Sequence, residues 1–194
     1  MDIKKSKNAG FSLVELIVTI SIASILVGGM SIGISLAFSR DASRCATILN
    51  DALYSVRMDS MSRPGKYVLE IKDNNAGSSP SQYVAIVTCE IDNPGGDPTI
   101  TTETIYLEGD SSANKIKTIT ASLRKSGGNV SLMSSPSDTV KITFDKSKGC
   151  VNTGAGTDFS EDGIVEFHIE PVRGNRTSDV SLITSTGKHT IGTY

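Results

Sequence analysis

The order of apolar and polar positions divides the chain into three textures. From Phe11 to Phe38 nearly every position is apolar or small, and Glu15 is the single charge. A helix over 11–38 is roughly 42 Å long at about 1.5 Å per residue, more than the ~30 Å of a bilayer core. From Ala42 the texture changes. Ala42, Cys45, Ile48, Leu49, Ala52, Leu53 and Val56 recur at spacings of three and four, which predicts one apolar stripe on a helix. Arg40, Asp41, Arg44, Asn50, Asp51 and Arg57 fall mainly on its other faces. Met61-Ser62-Arg63-Pro64-Gly65 is a stop signal, so one long helix is expected from 11 to about 62.

After Pro64 short β-prone runs alternate with turn residues. The expected strands are Tyr67–Lys72, Tyr83–Glu90, Thr102–Leu107, Ile116–Leu123, Val130–Leu132, Val140–Phe144, Ile164–Ile169, Val180–Thr184 and His189–Thr193. Loop compositions at 74–80, 92–98 and 154–156 separate some of them. The expected fold class is α+β, a long N-terminal helix packed on an antiparallel β-sheet or sandwich head. The expected organisation is a leader at 1–10, a membrane or filament-core helix at 11–38, the amphipathic half of that helix at 39–63 and an extracytoplasmic head at 64–194. A head of that size buries a real core.

Charge orients this arrangement. Lys4, Lys5 and Lys7 precede the apolar run and only Asp2 opposes them, which places residues 1–10 in the cytoplasm and the head outside. The run exceeds the 7–15 residues of an ordinary signal core, and Phe38-Ser39-Arg40-Asp41 is a poor cleavage site. The small pair Ala9-Gly10 lies before the run instead, so cutting there leaves the apolar segment attached as an anchor. Glu15 has two readings on its own. A helix start tolerates an acid snorkelling to the interface, or the carboxylate waits for a cationic partner supplied by assembly.

Gly10-Phe11-Ser12-Leu13-Val14-Glu15-Leu16-Ile17-Val18 resembles the class III signal of type IV pilins and type II secretion pseudopilins. The family pattern is a short basic leader, Gly, Phe, a few apolar residues, Glu and a hydrophobic helix, and all of it is present in order. The resemblance implies cleavage between Gly10 and Phe11 by prepilin peptidase and N-methylation of Phe11. It also implies that Glu15 pairs with the Phe11 amine of a neighbouring subunit, and a paired ammonium and carboxylate avoid leaving either charge uncompensated in low dielectric. Many pilins carry a proline in the middle of this helix, whereas this chain has none between Phe11 and Arg63 and places Gly28, Gly29 and Gly33 there. Those glycines either loosen the helix or let another helix approach closely.

A second resemblance lies in the C-terminal third. Val140–Asp145, Gly149, Gly163–Phe167 and Val180–Lys188 are similar to the strand and glycine-turn order of H-type minor pseudopilins and T-type fimbrial minor pilins, whose β-sandwich head sits on the long helix. It implies a minor subunit.

Candidate chemistry is sparse. Cys45, Cys89 and Cys150 all lie in the exported part, where a disulfide persists. Cys45 falls on the packing face of the helix, which favours a Cys89–Cys150 bridge, but three pairings and three free thiols all remain open. His168 alternates away from Phe167 and reads as an exposed strand residue, and neither it nor His189 belongs to a metal or nucleophile motif. Asp158, Glu161 and Asp162 cluster in a glycine-flanked loop without the spacing of a calcium hand. No catalytic residue, metal site or cofactor is expected. The formal net charge is −2, and removing residues 1–10 takes three lysines and one aspartate and leaves −4. No basic patch for nucleic acid is present.

The expectation is a structural, non-enzymatic subunit of a type IV pilus-like filament, a minor pilin. Its partners are the membrane, crossed once, other pilin subunits, prepilin peptidase and the pilus assembly machinery. It ends in a cell-surface filament. The alternatives are a pseudopilin of type II secretion or DNA uptake, and a signal-anchored surface adhesin.

Overall fold

The computed structural model describes residues 12–38, 40–76, 81–109, 115–153, 158–159 and 161–193, and side chains within the first helix are described from Leu13 to Gly28. The chain divides into two units between Ala37 and Phe38.

The first unit contains all but the last residue of α1, Leu13–Phe38. The Leu16 amide donates to the Ser12 carbonyl at 3.1 Å, so the helical ladder opens at Ser12. Leu13, Val14, Leu16, Ile17, Val18, Ile20, Ile22, Ile25, Leu26 and Val27 are all exposed, and they face every direction around the axis. The hydroxyls among them turn inward: Thr19, Ser21 and Ser24 donate to the carbonyls of Leu16, Ile17 and Ile20 at 2.8–2.9 Å. Apart from Glu15, the described wall of α1 is therefore apolar all round, with its Thr19, Ser21 and Ser24 hydroxyls satisfied internally, and such a helix must be covered by something other than water. Gly28, Gly29 and Gly33 do not interrupt the helix. Among the described residues no helix is long and apolar enough to cross a membrane.

The second unit opens with α2, Arg40–Ser62. Helix is therefore found on both sides of Ser39, which lies outside the described residues, as does Phe11. The buried face of α2 is Ala42, Cys45, Ala46, Leu49, Ala52, Leu53, Val56 and Ser60. Ala46 replaces Ile48 in the expected stripe; Ile48 is only partly covered. Three alanines on this face let the helix axis approach the sheets closely. The Ser60 hydroxyl, buried at the end of the stripe, donates to the Val56 carbonyl at 2.7 Å. The stop at Pro64-Gly65 has a steric cause. Gly65 has φ +111°, and a Cβ there would press on the Glu90 carbonyl and the side chains of Cys89 and Ile91.

Nine strands follow: β1 Lys66–Asp73, β2 Tyr83–Ile91, β3 Thr99–Tyr106, β4 Ile116–Lys125, β5 Gly128–Met133, β6 Thr139–Thr143, β7 Ile164–Pro171, β8 Ser178–Ile183 and β9 Lys188–Thr193. Each coincides with an expected strand; β3 starts three residues earlier than expected. They form two antiparallel sheets, ordered β3-β2-β1-β6 and β5-β4-β7-β8-β9. Strand alternation supplies the inner faces: Leu69 and Ile71 from β1, Ile119, Ala121 and Leu123 from β4, Val165, Phe167 and Ile169 from β7, and Val180 and Leu182 from β8. These side chains pack with the apolar stripe of α2 in one core.

The return segment 150–152 stitches the sheets together. Val151 bridges Phe144 beside β6, and its amide donates to the Thr184 carbonyl at 2.8 Å just beyond β8. The buried Thr184 hydroxyl then accepts the Gly163 amide at 2.8 Å.

Candidate assembly site at the first helix

Glu15 stands in the first turn of α1, one turn from the opening carbonyl of Ser12, and is exposed. The four leading N–H groups of a helix carry partial positive charge, which favours an acid there. Its neighbours Leu13, Val14, Leu16, Ile17 and Val18 are exposed hydrocarbon. An exposed carboxylate ringed by exposed apolar side chains has one obvious chemistry. If the hydrocarbon is covered by lipid or protein, the carboxylate is covered with it, and it then needs a cation at short range. Gly10 and Phe11, expected as the cleavage and methylation positions, lie outside the described residues.

Comparison with known protein families matches residues 5–31 to the prokaryotic N-terminal methylation motif. The chain carries the class III prepilin signal of the type IV pilin and pseudopilin family. The match begins at Lys5, includes Lys7, Gly10, Phe11 and Glu15, and ends within α1. The prepilin signal marks a pilin-like or pseudopilin substrate of prepilin peptidase. The head has no such support: no curated protein and no solved structure gives a significant match.

The remaining candidates sort by geometry. The three cysteines are free thiols, and the expected Cys89–Cys150 bridge is not formed. The reason is strand order. Cys89 faces Tyr67 in β1, the next residue Val68 stands in register with Thr143 of β6, and Phe144 beside it bridges Val151 next to Cys150. Three inter-strand steps of about 4.8 Å give roughly 14 Å, twice what a disulfide spans between Cα atoms. Cys89 instead receives the Tyr67 hydroxyl, and that hydrogen bond together with burial raises the Tyr67 phenol above its ordinary range. Cys45 is buried in the core, and burial, reinforced by the Glu108 carboxylate, pushes its thiol far above the usual range. It is an inert packing group.

His168 is half-exposed on β7, as its alternation implied, but it is not solitary. Its Nδ1 lies 2.6 Å from Asp179 Oδ1 on the facing position of β8. His189 sits edge-on to Tyr54 of α2 with ring centroids 6.3 Å apart. Partial burial lowers its pKa, and Arg57 adds to that, while the Gly187 carbonyl and Asp51 oppose it. The acids at 158–162 do not converge. Asp158 accepts the Lys141 amide, Glu161 pairs with Lys125 at 3.2 Å, and Asp162 receives the Thr184 hydroxyl at 3.3 Å. Each is spent on a different contact, in the middle of β6, at the end of β4 and just beyond β8.

The sequence pattern sets Arg57 off the apolar stripe of α2. In the structure its Nε donates to the Gly149 carbonyl at 2.8 Å and its Nη2 to the Thr186 carbonyl at 3.0 Å. Gly149 and Gly187 both have positive φ, and a Cβ on Gly187 has no room against the Gly149 carbonyl. Two glycine turns thus converge under one guanidinium and fix the helix to both sheets. The two glycines were legible as turn residues. Their meeting was not, because they lie 38 positions apart and only the fold joins them.

Proposed function

We propose that this chain is a structural, non-enzymatic subunit of a type IV pilus-like filament, and a minor rather than a bulk subunit. Prepilin peptidase cuts between Gly10 and Phe11, the new Phe11 amine is methylated, and the segment 11–38 holds the chain in the membrane as a single pass with its head outside. The assembly machinery then moves the subunit into a filament whose core is made of such helices. Exchange of lipid for protein around α1 is nearly neutral in hydrophobic terms, so packing and the pairing of Glu15 with the Phe11 amine of a neighbour set the register.

The observation that carries this reading is the methylation motif over residues 5–31. The all-round apolar wall of α1 supports it, since such a wall suits lipid before assembly and other helices after it. The C-terminal glycine-turn order supports a minor subunit. A pseudopilin uses the same signal, and abundance in sheared surface filaments separates the two. The adhesin alternative predicts that Glu15 is dispensable. With Glu15→Val, the proposal expects normal membrane levels and normal cleavage but loss of the chain from sheared filaments. Incorporation equal to the natural chain would favour a simple anchored protein.

A further inference from the structure

Two acids at one end of the first sheet lack a partner for half of each carboxylate. Asp73 closes β1 and is 3% exposed, and Glu108 follows β3 and is also 3% exposed. β2 lies between their strands. Each acid closes the neck of its own loop with one oxygen. Asp73 Oδ1 accepts the amides of Gln82 at 2.7 Å and Asn75 at 3.0 Å. Glu108 Oε2 accepts the Lys115 amide at 2.8 Å. The other oxygens, Asp73 Oδ2 and Glu108 Oε1, are buried and have no hydrogen-bond partner among the described residues.

Both acids are tied to the same stretch of β2. Asp73 stands opposite Tyr83, and the Leu107 amide donates to the Tyr83 carbonyl at 3.1 Å, which brings Glu108 alongside. The two carboxylates repel one another: Asp73 adds to the burial that raises the Glu108 pKa, against the pull of main-chain donors from Lys115, Tyr83 and Ile116. Glu108 also faces the Cys45 thiol of α2. Arg44 lies over Gly109, 3.0 Å from where a Cβ there would sit. Among the described residues no cation forms an ion pair with either acid. Buried anionic oxygens without a hydrogen-bond or ion-pair partner are strongly unfavourable.

We propose that Asp73 Oδ2 and Glu108 Oε1 are two ligands of a divalent, oxygen-seeking cation of the calcium class. Two carboxylates match the charge of one divalent ion. Calcium accepts irregular oxygen shells, whereas magnesium keeps several waters that a buried site does not accommodate. The ion would cross-link the necks of the 73–82 and 108–115 loops at the end of the sheet where α2 lays Arg44. This inference is independent of the filament reading.

The test is calcium binding to the full chain in detergent, by equilibrium dialysis with calcium chloride and with magnesium chloride as control, together with thermal unfolding in calcium and in chelator. The expected result is calcium uptake near one ion per chain at about 1 mM calcium, the upper range for exported calcium modules. Magnesium should be poorly bound, and Tm should rise in calcium. Asp73→Asn and Glu108→Gln should each weaken uptake by about tenfold or more, by loss of a charged ligand, and abolish the calcium-dependent rise. In chelator Glu108→Gln should melt no lower than the natural chain, because it removes repulsion while keeping shape, and that checks folding. No calcium uptake, or uptake unchanged in both variants, would overturn the proposal. A Tm that responds to acid but not to calcium would also overturn it, and would mean that the two carboxylates hold a proton.

Discussion

At Arg57 one guanidinium takes the place of water for two carbonyls in turns that follow β6 and β8. Truncating it leaves the Gly149 and Thr186 carbonyls short of a donor. Hydrogen bonds to a charged group contribute about 1.5–3 kcal/mol, less where the group is partly exposed, so Arg57→Ala should destabilise the head by roughly 2 kcal/mol in urea unfolding. Arg57→Lys should restore less than half, because a single ammonium does not reproduce the two-pronged geometry. An Arg57→Ala chain as stable as the natural one would show that the clamp is idle. The cysteines give a second residue-scale expectation. Under native conditions without reductant, N-ethylmaleimide should add to Cys89 and Cys150 by intact mass, and to Cys45 only after unfolding. Native resistance at both Cys89 and Cys150, relieved by reductant, would mean that they are bridged.

At the scale of elements, α1 and α2 differ in what surrounds them. The apolar residues of α1 point everywhere, and those of α2 point to one side. Leu49 is fully buried at the centre of the α2 stripe. Leu49→Ala should therefore remove about 2–5 kcal/mol from the head in urea unfolding, the usual range for deleting a core leucine. A loss below 1 kcal/mol, on the scale of a surface change, would mean that α2 is not the keel of the core. These elements were legible because period and burial agree. The stripe Ala42-Cys45-Leu49-Ala52-Leu53-Val56 predicted the buried face, and alternation such as Tyr67-Leu69-Ile71 and Val165-Phe167-Ile169 predicted the strands. Ile48 was read as core because it fits the spacing, but the sheets meet the helix on the side of Ala46, where a small residue lets the backbones close.

For the molecule as a whole, strand order was the illegible quantity. The sequence separates Cys89 from Cys150 by five dozen residues and says nothing of the β3-β2-β1-β6 order that sets them three strand steps apart. The same order brings Asp73 and Glu108 to one end of β2, although each looks like an ordinary acid at a strand end. The assembly signal was legible at once, because its information is local: a basic leader, Gly10, Phe11 and Glu15 at fixed spacing before an apolar helix. The central claim rests on that signal, and the direct test is the intact mass and N-terminal sequence of the chain recovered from its native membranes. The account predicts a chain that begins at methylated Phe11. A chain that keeps residues 1–10 in cells with active prepilin peptidase would contradict it.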